Sequence, residues 1–109
     1  MTGLQENNFV FNVITPLGFR VRVTRSYWEL IVTIKHPAMA GHEKEVMQVL
    51  EKPEEVRQSK GDPVVYLFYK TQCIGRWVCV VTKRLDGEGF LVTAYPTDSI
   101  KEGVKIWPK

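Results

Sequence analysis

Between Phe19 and Thr24 apolar and polar residues alternate one for one, and this pattern most restricts the fold. In Phe19-Arg20-Val21-Arg22-Val23-Thr24, phenylalanine and the two valines point one way while two arginines and a threonine point the other. A period of two is the signature of a half-buried β-strand. Phe9-Val10-Phe11-Asn12-Val13-Ile14 precedes it, and Thr15-Pro16-Leu17-Gly18 between them carries turn residues. Together they predict an N-terminal β-hairpin with one core-facing side.

Tyr27 to Ile34 is a third apolar run, with Trp28, Leu30, Val32 and Ile34 on one parity. Its β-branched content favours a strand over a short helix, the other form open to it. Pro37 ends the run, because proline biases His36 away from helical backbone. From about Met39 the period lengthens. Met39, Val46, Val49 and Leu50 recur at helical spacing, while Glu43, Lys44, Glu45, Gln48 and Glu51 take the opposite side. Pro53 stops this helix, and Pro53-Glu54-Glu55-Val56-Arg57 places proline at the first position of a short second helix. Val64 to Lys70, Arg76 to Lys83 and Phe90 to Tyr95 then read as strands joined by turn-rich connections. An antiparallel β-meander is expected, its first strand buried on both faces, with a short final strand near Trp107. The fold class is α+β: a helix and a short second helix packed on an antiparallel β-meander, with the hairpin at its N-terminus.

A length of 109 residues, 44% of them hydrophobic, suits one domain with one core. The opening residues show no basic stretch followed by an apolar one, so no signal peptide is expected. No run reaches the ~18–20 apolar residues of a membrane span. Cys73 and Cys79 have no Cys or His at zinc spacing, and read as free thiols of a cytoplasmic protein. The net charge of +3 is unevenly spread. Residues 18–35 hold four bases and one acid, residues 36–69 four bases and six acids, and residues 70–109 seven bases and four acids. A polyanion would therefore meet the strands rather than the acidic helix.

Candidate chemistry gathers at two short stretches, Ile34-Lys35-His36-Pro37 and Thr93-Ala94-Tyr95. His36 offers an imidazole for proton transfer near neutral pH, or alternatively a helix-entry residue bonded to a nearby carbonyl. Thr93 and Tyr95 share strand parity with Leu91, opposite Phe90, Val92 and Ala94; if the second set meets the helix, the first faces the open side. Arg57 suits a phosphate clamp or a pair with a neighbouring acid. Lys35, Lys70, Arg76 and Lys83 are candidate phosphate-positioning cations, joined by Arg20 and Arg22 if all converge on one face. His42 is expected beside the helix's apolar stripe, and the three tryptophans in the core. Two histidines without a third ligand make no metal site, and no cofactor is expected. Phosphate-binding glycine loops, a nucleophile elbow and paired catalytic carboxylates are all missing from the pattern.

The order of these parts resembles the barnase/EndoU/colicin/RelE-like nuclease-fold superfamily, in particular its small phage- and mobile-element-associated branch. The residues that carry the resemblance are Tyr27-Trp28-Glu29-Leu30-Ile31, Lys35-His36-Pro37, the helix to Leu50, Lys52-Pro53-Glu54-Glu55-Val56-Arg57-Gln58-Ser59 and Thr93-Ala94-Tyr95. It spans residues 27–107, leaving residues 1–26 as a tail and accessory hairpin. The resemblance implies RNA lying across an open sheet face and cleaved without metal, often by a toxin restrained by an antitoxin. By the same resemblance His36 and Thr93 are the nearest matches to functional positions, followed by Arg57 and Tyr95. A non-catalytic RNA- or protein-binding module on the same fold is the alternative.

Overall fold

The computed structural model describes residues 8–100 and 102–109, so most of the polar N-terminal tail lies outside it. Strands β1 (Phe9–Ile14) and β2 (Arg20–Thr24) form the hairpin, turning at Gly18 with φ of 93°. Helix α1 (Arg25–Leu30) follows at once and runs on as a π-helical segment (Ile31–Lys35). A single 3₁₀ turn (Pro37–Met39) leads to α2 (Glu43–Glu51). Strands β3 (Glu55–Gln58), β4 (Val65–Cys73), β5 (Arg76–Leu85), β6 (Glu88–Thr97) and β7 (Val104–Trp107) complete the chain.

All seven strands belong to one sheet of order β1-β2-β6-β5-β4-β3-β7. The expected meander is there, since β4, β5 and β6 pair antiparallel in sequence order. The sheet as a whole is mixed, however, because β2 joins β6 in parallel through Val21↔Gly89 and Arg22↔Phe90. The hairpin thereby becomes part of the sheet. Phe11, Val13, Phe19, Val21 and Val23 lie in the same buried cluster as Trp28, Ile31, Met39, Val46, Val49, Leu50, Phe68 and Val80. As expected of a strand covered on both faces, Leu67, Phe68 and Tyr69 of β4 are all buried.

Two expected elements take another form. The Tyr27–Ile34 run is helical, not a strand. The Thr24 hydroxyl caps the helix by accepting the Tyr27 N–H at 3.2 Å. Trp28 and Ile31, three apart, turn inward, whereas Leu30 and Ile34 are 38% and 72% exposed. Strand parity would have buried those two with Trp28. The β-branched stretch after Leu30 widens the helix: His36 N–H donates to the Ile31 carbonyl at 2.7 Å, a bond five residues back.

The short second helix at Pro53–Arg57 is the other correction. Glu55–Gln58 is a strand held on both sides, antiparallel to β4 and to β7. Pairing on both edges outweighs the weak helix-start signal of Pro53, and places Val56 in the core at 0% exposure.

Candidate functional site

The sheet has two faces, and its registers assign residues to each. Helices cover one face, where Val56, Phe68, Val80 and Ala94 form a row across β3, β4, β5 and β6. The opposite face carries the rows Glu55–Tyr69–Cys79–Tyr95 and Arg57–Leu67–Val81–Thr93. Thr93 and Tyr95 thus point away from the helices.

A bulge separates them from Leu91. Val81 pairs with Thr93 but Thr82 pairs with Leu91, leaving Val92 as the extra residue. Strict alternation would group Leu91 with Thr93 and Tyr95. Instead Leu91 is buried with Ala94 in the main core, and Phe90, paired with Lys83, shares the far face with Thr93.

The edge of β6 beyond the bulge is covered by the α1–π segment. The Tyr27 hydroxyl donates to the Val92 carbonyl at 2.9 Å, and Lys35 Nζ donates to that hydroxyl at 3.0 Å. His36 follows directly. Its ring lies 5.2 Å from the ring of Tyr95, centroid to centroid, tilted by 37°. The end of the π-helical segment thus sets Lys35 beside the Val92 carbonyl and His36 against Tyr95.

Two features of this cluster bear on its chemistry. The Thr93 hydroxyl oxygen is buried and has no hydrogen-bond partner among the described residues. Burial, followed by the neighbouring Cys79 thiol, raises the Tyr95 pKa well above the usual phenol value. Tyr95 is therefore a neutral O–H donor, not a base. The same burial raises Tyr69 and pushes the Cys79 thiol up to about 11. Leu67, Tyr69 and Cys79 form a second, small core, against which Trp77, Val81, Tyr95 and Ile100 pack. The expected open face is thus partly closed, with Ile100 of the β6–β7 connection lying over it.

The other expected residues are dispersed. Arg57 stands in the Thr93 row but three strand spacings away, about 14 Å. Its guanidinium pairs with Glu55 at 2.9 Å and donates to the Gly103 carbonyl at 3.2 Å. Lys70 is on the helix side and donates to the Lys52 carbonyl, at the end of α2, at 2.9 Å. Arg76 is exposed at the β4–β5 turn. Lys83, seven residues along β5 and so about 23 Å away, lines a cleft beside the hairpin with Arg22. His42 is half-buried at the entry of α2, with Nδ1 2.8 Å from a Glu45 carboxylate oxygen. Trp28 is buried as expected, its indole N–H donating to Glu43 at 2.9 Å.

Tyr27 was not among the residues singled out from the sequence, although it links Lys35 to β6. Its signal was the tyrosine eight residues before Lys35, legible only once the run is read as helical. Among the described residues no three His, Cys, Asp or Glu side chains are grouped to hold a metal ion. Nor is any helix among them long and apolar enough to cross a membrane. No protein-family model, curated protein or solved structure matches the chain.

Proposed function

We propose that this protein is a metal-independent endoribonuclease that cleaves RNA by attack of the 2′-hydroxyl on the adjacent phosphate. The observation that carries the reading is the 5.2 Å approach of the His36 ring to Tyr95, beside the unpartnered Thr93 hydroxyl. In this mechanism His36 accepts the 2′-hydroxyl proton as the new oxygen–phosphorus bond forms. The bond to the 5′-oxygen breaks, that oxygen takes a proton from solvent, and a 2′,3′-cyclic phosphate remains. The Tyr95 ring holds the His36 imidazole in place, and the Lys35 ammonium offsets the charge that builds on the phosphate. Resemblance to the barnase/EndoU/colicin/RelE-like group supports the same chemistry. It also suggests the setting, a toxin-like effector restrained by an inhibitor protein.

One observation favours the second reading, a non-catalytic RNA- or protein-binding module. Arg57 is tied to Glu55 and Gly103 and does not reach the His36 cluster, where Lys35 is the neighbouring basic residue.

End-labelled RNA incubated with the protein in excess EDTA separates the two. The nuclease produces fragments with 2′,3′-cyclic ends, and His36→Ala lowers the rate about 10²–10⁴-fold while remaining folded. Intact RNA that is nonetheless bound would establish the binding module.

A further inference from the structure

A cleft of about 530 Å³ lies between the hairpin and the bulged start of β6, on the sheet face away from α2. Phe9, Tyr27, Leu85 and Phe90 give it apolar walls, and Arg22 and Lys83 supply cations. The Arg22 guanidinium carbon lies 5.5 Å from the centre of the Phe9 ring and 5.2 Å from that of Phe90. Outside the cleft's lining, Lys35 Nζ lies 5.2 Å from the centre of the Tyr27 ring. Phe90 is 37% exposed and Leu85 45%, so apolar surface faces water beside the two lining cations, Arg22 and Lys83.

We propose that this cleft is a nucleobase subsite, which holds one single-stranded nucleotide of the RNA next to the bond being cut. The inference rests on the protein's acting on RNA, as proposed above, and assigns the hairpin a role in choosing the substrate. Aromatic faces accept any unpaired base by stacking, while cations at the rim take the flanking phosphates. Base faces in a duplex are already stacked and cannot enter.

Charge complementarity specifies a polyanion. Among the described residues Glu88 is the acid paired with Arg22, at 3.2 Å, and its side chain is 57% exposed. Such an exposed pair is weak and gives way to a phosphate, which arginine binds through two parallel bonds. Position specifies the neighbouring nucleotide, because Val92 lines the cleft and Thr93 is the next residue.

The test uses full-length His36→Ala protein, which binds without cutting, and a fluorescein-labelled single-stranded RNA containing 2-aminopurine. Anisotropy gives Kd, and 2-aminopurine quenching reports stacking. Quenching is expected on binding, with Phe90→Ala abolishing it and weakening affinity by about 5- to 100-fold. Arg22→Gln, a substitution of an exposed side chain, should weaken binding while circular dichroism shows the fold retained. Equal affinity for duplex RNA, or quenching that survives Phe90→Ala, overturns the subsite. Failure here is separable from failure of the nuclease reading. Wild-type cleavage with unaltered binding by Phe90→Ala removes the subsite alone, and Phe90-dependent quenching without wild-type cleavage removes the nuclease alone.

Discussion

The Thr93 hydroxyl is buried without a partner, an arrangement that costs about 1–3 kcal/mol in a folded chain. Thr93→Val keeps the shape and removes the polar atom. It should raise stability by about 1 kcal/mol in a denaturant titration and leave the rate of RNA cleavage unchanged. A loss of rate would mean that the sheet opens to let the substrate reach this hydroxyl. Proton binding at the neighbouring cluster sets a second expectation. Tyr69, Cys79 and Tyr95 all hold their protons more tightly folded than unfolded, chiefly because burial disfavours their charged forms. Their contribution is complete below the unfolded thiol's value of 9.0 and is lost as pH rises through it toward about 11. Urea midpoints should therefore fall between pH 7 and pH about 10, and less steeply in Cys79→Ala. A midpoint that rises over this range would contradict the burial of these groups.

Elements whose identity depends on local period were legible from sequence; those fixed by distant partners were not. The hairpin, α2 and the three long strands follow from alternation or helical spacing, and turn residues mark their ends. The Tyr27–Ile34 run fails as a strand because its deciding residue lies outside it, in the Thr24 cap, and because β-branched residues accept a widened helix here. Glu55–Gln58 fails as a helix because both of its neighbours, β4 and β7, come later in the chain. The Val92 bulge has no local signal at all, yet it brings Thr93 and Phe90 to one face. Gly89, just before it, shows what the parallel β2–β6 contact requires. A methyl group there would meet the Arg20 carbonyl and the Phe19 ring. Gly89→Ala should cost about 1–3 kcal/mol in thermal unfolding, whereas Gly61→Ala, with open space around it, should change little. Equal effects would place the hairpin's attachment elsewhere.

Over the whole molecule, charge and sheet face coincide only in part. The acidic helix α2 covers one face, as its sequence suggested, and carries Glu43, Glu45 and Glu51. The candidate cations do not form one groove. Lys35 and Lys83 lie near β6 with Arg22, while Lys70 closes the end of α2 and Arg76 occupies the far turn. Residue type alone could not separate these pairs, because lysine at a strand end looks the same on either face. Salt dependence can. Each cation that meets a phosphate of single-stranded RNA contributes about 0.7 to the slope of log K against log salt. In the His36→Ala background, Lys83→Gln should reduce that slope by about 0.7, and Lys70→Gln or Arg76→Gln should leave it unaltered. Equal losses at all three positions would mean that RNA follows the net charge of the whole surface. A loss confined to Lys83 would put the RNA path along β6, from the hairpin cleft to His36.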